Sequence, residues 1–74
     1  MIKKEVGFNA GHIIDLLATK GKLSLRQIGE ITHYKEFLIM MATGWLLREN
    51  KIVITNEGGG LFFELNHSKG DLYY

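Results

Sequence analysis

The chain has no cysteine and no proline among its 74 residues. Without cysteine, neither a disulfide framework nor thiolate-bound zinc can add stability. Without proline, glycine is the main punctuation between elements. No apolar run approaches the roughly 20 residues needed to span a bilayer. The N-terminus, Met1-Ile2-Lys3-Lys4-Glu5, has no apolar stretch behind its lysines, so a signal peptide is not expected. The expected setting is soluble and cytoplasmic. Charge of one sign is also scarce: the net charge is +1 and the isoelectric point about 8.0. A nucleic-acid-binding domain more usually lies above ~9.

The residues of classical site chemistry are sparse too. His12, His33 and His67 are far apart and belong to no His-x-x-x-His pair. Metal ligation needs three or four convergent donors, so neither a metal nor another cofactor is expected. No carboxylate pair is set on one face by its spacing, and Ser24 is engaged in a helix cap. A domain this small also has little room for a pocket of some hundreds of cubic ångströms. No enzymatic activity is expected. Gly58-Gly59-Gly60 is read as a hairpin turn, because phosphate-binding loops join a strand to a helix.

What is present is globular: 46% hydrophobic and 23% charged residues. A chain of this size buries only about 60% of the surface its unfolded form exposes. Its core must be apolar, and sharing it with a second copy would help. The first helix is expected over Gly7 to Lys20, with Ala10, Ile13, Ile14 and Leu17 as its apolar stripe, Asn9 as a potential cap and Gly21 as its stop. Lys22-Leu23-Ser24 is long enough only for an edge strand or a turn. Ser24-Leu25-Arg26-Gln27 reads as a capping box, opening a short helix from Leu25 to about Thr32. Leu25, Ile28 and Ile31 are expected to face inward. Thr32 to Lys35 is a polar turn. A third helix follows from Lys35 to Glu49. Ile52-Val53-Ile54-Thr55 and Leu61-Phe62-Phe63-Glu64-Leu65 then form a hairpin around a glycine-rich loop. Ile52 and Ile54 are expected on the same face as Leu61, Phe63 and Leu65. The domain is expected over residues 1–65, with residues 66–74 a loose tail in which Leu72-Tyr73-Tyr74 could dock.

The third helix is apolar on nearly all sides. At about 100° per residue, Phe37, Met40, Met41, Gly44 and Leu47 share one face, expected to meet Ile13, Leu17, Ile28 and Ile31 in the core. Ile39, Ala42 and Leu46, with Leu38 on the flank, then form a second apolar face. A helix greasy all round is normally buried all round, so that second face is expected to be an interface, most simply with a second copy of the chain. Burial of both Ile39 and Leu46 within one chain would remove the pairing argument, and with it the case for an interaction module. Trp45 is expected as a core anchor beneath the hairpin near Phe62, and Gly44 as a point of close approach.

The order helix, short strand, helix, tight turn, longer helix, hairpin is the α+β layout of a winged helix-turn-helix: three helices with a C-terminal β-hairpin wing. Gly11-His12-Ile13-Ile14, Gly21-Lys22-Leu23-Ser24 and above all Gly44-Trp45-Leu46-Leu47-Arg48-Glu49-Asn50-Lys51-Ile52 resemble a family of short bacterial winged helix-turn-helix proteins of unassigned function. The resemblance covers about residues 4–65. It implies the fold and a loose link to transcription; no particular activity follows from it.

If such a domain binds double-stranded DNA, its third helix enters the major groove and its cations meet phosphates. The residues expected to do so are Arg26, Gln27, His33, Tyr34 and Lys35, with Lys51, Lys3 and Lys4 at the periphery. Against this, the third helix has no basic residue between Lys35 and Arg48, and the wing tip holds Glu57 and no cation. Two readings follow: a homodimeric DNA-associated regulator, or a protein-interaction module without DNA binding.

Overall fold

Helix formation begins earlier than the sequence signals suggest. The structure, a computed structural model, describes residues 2–67, with side chains from residue 7 onward. Helix α1 runs Ile2–Lys20, so Asn9 is no cap: it lies buried in the helix interior. The stop is as expected. Gly21 takes φ +82°, and its N–H closes on the Leu17 carbonyl at 3.0 Å. Strand β1, Leu23–Ser24, follows. Helix α2, Leu25–Thr32, opens on the anticipated capping box. The Gln27 N–H donates to Ser24 Oγ at 3.0 Å, and the Ser24 N–H donates to Gln27 Oε1 at 2.8 Å. Helix α3 runs Glu36–Arg48, with Lys35 as its N-cap residue.

The exit from α3 is a Schellman motif with asparagine in the left-handed position. Asn50 has φ +61°. The Lys51 N–H reaches the Leu46 carbonyl at 2.9 Å, and the Asn50 N–H reaches Leu47 at 3.0 Å. This reversal feeds β2, Ile52–Glu57, which pairs with β3, Gly60–Leu65. The hairpin is tighter than the sequence suggests. Glu57 pairs directly with Gly60, leaving Gly58 and Gly59 to turn, both at positive φ, as a two-residue type I′ turn demands. The antiparallel sheet has order β1-β3-β2. Ile52 opposes Leu65 and Ile54 opposes Phe63, the register the alternation of apolar residues anticipates.

The core gathers Ala10, Ile13, Leu16 and Leu17 of α1, Ile28 of α2, Ile39, Ala42 and Leu46 of α3, and Leu23, Ile52 and Phe63 of the sheet. This corrects the expected orientation of α3. Ile39, Ala42 and Leu46, assigned above to an interface, are buried within the single chain, and Leu38 is half-buried. That face is therefore withdrawn as a pairing surface, and the interaction-module reading that rested on it goes with it. Two small residues explain the choice. Ala42 and Thr43 are both buried on this side, and Thr43 costs little inside because its hydroxyl donates to the Ile39 carbonyl at 2.8 Å. The face expected inside, with Phe37, Met40, Met41 and Leu47, points to water, and so does Trp45. Ile31, expected in the core, is 41% exposed. The expected docking of Leu72-Tyr73-Tyr74 lies outside the described residues.

The two faces of α3 should separate cleanly in urea unfolding at low protein concentration. Leu46→Ala should cost about 2–5 kcal/mol, as core truncations do. Met41→Ala should stay within about 0.5 kcal/mol of the parent, as exposed substitutions do.

Candidate interaction face

Half of the described residues expected to touch DNA, Arg26, Gln27 and Tyr34, are engaged within the fold. Gln27 spends its side-chain oxygen on the capping box. Tyr34 packs against the core, and its hydroxyl lies 2.8 Å from His12 Nδ1, with the two rings edge to face at 5.6 Å. This pair ties the α2–α3 turn to α1. Arg26 Nε lies 3.3 Å from Glu30 one turn along. Arg26 also shares a shallow recess with a second carboxylate, Glu36. His33, Lys35 and Lys51 are exposed, and no side-chain partner is seen for them among the described residues. The side chains of Lys3 and Lys4 lie outside the described residues.

The wing adds no cation. Lys22 pairs with Glu57, and Thr55 Oγ1 donates to the same carboxylate at 3.2 Å. Lys22 Nζ also stands 5.4 Å from the centre of the Phe62 ring. The lysine is thus committed to anchoring the wing. The hydrogen bond between the two charges raises the Lys22 ammonium above its usual range and lowers the Glu57 carboxyl below its own.

The most prominent surface feature is a stripe along the outer side of α3. Phe37, Met40, Met41, Gly44 and Arg48 recur at helical spacing, with Leu47 and Trp45 on its flanks. Phe37 is 57% exposed and Trp45 45%. A Cβ built on Gly44 would meet nothing within 4 Å among the described residues, so none of them makes the close approach expected at this glycine. At about 150–250 Å² per aromatic side chain, Phe37 and Trp45 alone leave roughly 200 Å² in water. With the methionines and Leu47 the patch reaches the several hundred square ångströms that mark interaction sites. Beyond Trp45 it opens into a groove of about 800 Å³ lined by Phe8, Gly11, Ile14 and Lys51. Phe8, on α1, is 74% exposed. Glu36 and Arg48, both exposed, close the two ends of the stripe.

The sequence spacing shows the Phe37-Met40-Met41-Gly44 stripe but not which way it points. Among the described residues no group of three or more histidine, aspartate or glutamate side chains converges, and no helix is long and apolar enough to cross a membrane.

Three helices with an antiparallel hairpin packed beside them define a winged helix-turn-helix domain. The chain matches the family described as winged helix-turn-helix domain (DUF2582) over residues 1–65, and it belongs to that family. It is similar to the solution NMR structure of protein BT2368 from Bacteroides thetaiotaomicron. The two share 31% identity and a TM-score of 0.80, over 100% of this chain and 89% of the other. No curated protein matches.

The Lys22–Glu57 pair carries a pH signature. The carboxyl's lowered pKa means its contribution is complete above the unfolded pKa and disappears as pH falls through the folded one. The lysine's raised pKa places the mirror-image loss on the alkaline side. Glu57→Gln should therefore melt slightly lower than the parent near neutrality, and the two melting curves should converge on acidification. A gap that stays constant into acid would show that the pair is not its source.

Proposed function

We propose that this winged helix-turn-helix domain is a non-enzymatic docking module that engages protein through the outer face of α3. One observation carries the reading. On the helix that DNA-reading relatives of this fold lay in the major groove, the exposed stripe is Phe37, Met40, Met41 and Gly44. Phosphates are held by lysine and arginine, and base edges by polar side chains; between Glu36 and Arg48 at its ends, this stripe offers neither. An apolar, methionine-containing surface instead suits a protein partner, because methionine adapts to irregular contacts.

A second reading, a DNA-associated regulator of transcription, is favoured by the fold and by exposed His33 and Lys35 in the turn beside Arg26. Under it, contact would come from the turn and the start of α2, with Lys51 peripheral.

Titration into random duplex at low salt separates the two. The docking reading expects no binding that depends on the α3 stripe. Binding that Met41→Glu abolishes would overturn it. The DNA reading expects affinity that falls with salt at a slope of roughly 0.9 per phosphate contacted, and a shallower slope in the Arg26→Ala, Lys35→Ala double variant. Absence of any binding at low salt removes the DNA reading.

A further inference from the structure

We propose that the groove between α1 and the end of α3 is a docking site for a segment of this same chain, Leu72-Tyr73-Tyr74, bound in cis. The proposal goes beyond the docking reading, which concerns the stripe from Phe37 to Gly44, and does not rest on it. Three observations carry it. The first is where the described chain leaves the fold. After β3, the Asn66 N–H donates to the Lys51 carbonyl at 3.0 Å, and Asn66 Nδ2 donates to the Asn50 carbonyl at 3.1 Å. The chain is thus fastened to Lys51, which itself lines the groove. Six residues on from Asn66 is Leu72, a reach of up to about 20 Å, and the groove begins at the residue that holds Asn66.

The second observation is the lining. The groove encloses about 800 Å³, within the roughly 300–1,000 Å³ of clefts that bury most of a compact ligand. Gly7 and Gly11, one turn apart on α1, leave that helix bare. A Cβ built on either meets nothing within 4 Å among the described residues. Phe8, Ile14 and Trp45 supply apolar surface beside them.

The third is chemistry. His67 to Asp71 is a polar stretch with one glycine, and three large side chains then come together. Tyrosine and tryptophan rings pair edge to face or offset, so a tyrosine suits the Trp45 indole, which the domain leaves half-exposed. A buried phenol hydroxyl needs a partner, and Asp15 on the groove lining offers an acceptor. Asp71, directly before the apolar group, is opposite in charge to exposed Lys51.

Tethering favours this occupant over a free one. A segment on a short linker meets its site at an effective concentration on the order of millimolar. Weak intrinsic binding then fills the groove, and an untethered ligand has to displace the segment. The far end of the stripe, at Phe37, lies eight residues or about 12 Å along α3 from Trp45, so docking covers the Trp45 end and leaves the Phe37 end open.

The test is magnetic resonance and fluorescence on the full chain, whose single tryptophan is Trp45. Nuclear Overhauser contacts should join the ring of Tyr73 or Tyr74 to the Trp45 indole. In a mixture of isotope-labelled and unlabelled chains, they should arise within one chain. Combining Leu72→Ser, Tyr73→Ser and Tyr74→Ser alters no described core residue. That variant should keep its helical circular dichroism, emit at longer wavelength and be quenched more readily by acrylamide. Gly11→Gln tests the groove from its other side. The position is open and glutamine is the better helix former, so the variant should fold and lose the tyrosine–tryptophan contacts. The proposal is overturned by a parent that lacks those contacts or makes them only between chains. It is equally overturned by a serine variant quenched like the parent at the same protein concentration, or by contacts that persist unchanged in Gly11→Gln. The docking reading falls separately, by duplex binding that Met41→Glu abolishes.

Discussion

Helix α3 carries more apolar surface than one small domain can cover, and this constraint shapes the rest of the molecule. A helix has a circumference, and a three-helix domain with one sheet can bury only part of it. The side that goes in is the one with Ala42 and Thr43 at its centre. Both are buried there, with Ile39 and Leu46 in the core on either side. Thr43 turns its hydroxyl back onto its own helix, so a polar residue becomes compatible with the tightest part of the interior. The side that stays out then has to be the one with Phe37, the methionines and Gly44.

The same constraint explains why the fold was legible in the sequence and the orientation of α3 was not. Local chemistry determines the element order. Ser24 and Gln27 can only be a capping box at that spacing, Gly21 supplies the left-handed stop, and the alternation in Ile52 to Ile54 and Leu61 to Leu65 admits one register. The early start of α1 escaped because Asn9 looks like a cap and is instead a buried residue within the helix. For α3 no local signal decides. Both faces recur at helical spacing, and size pointed the wrong way: Phe37, Met40 and Met41 look like core because they are large. Packing against α1 favours small residues where the helices meet, a tertiary requirement that periodicity does not contain. Trp45 misleads similarly, since its size suggests an anchor while its place on the helix leaves it at a groove.

The site was partly legible for a related reason. The capping box, once recognised, already commits Gln27. The pairing of Arg26 with Glu30 follows from i,i+4 spacing. The contact between His12 and Tyr34 spans two helices and could not be read from either segment. Lys22 and Glu57 meet only because β1 joins the sheet through β3 and brings the start of α2 beside the wing. Arg26 and Lys22 are thus engaged within the fold, while Lys35 and Lys51 stay exposed. The largest surface left unexplained is apolar.

A helix that reads DNA and a helix that docks protein place opposed demands on one face. Groove binding rewards charge and hydrogen-bonding groups, and it tolerates exposure in the unbound state because such groups are well hydrated. Docking rewards apolar area, whose exposure is unfavourable whenever the partner is absent. For a chain that buries only about 60% of its unfolded surface, that exposure is a substantial liability unless the partner is usually present. On the docking reading, a bound partner stabilises the folded state by mass action and covers on the outside of α3 the apolar surface that a single small core leaves exposed.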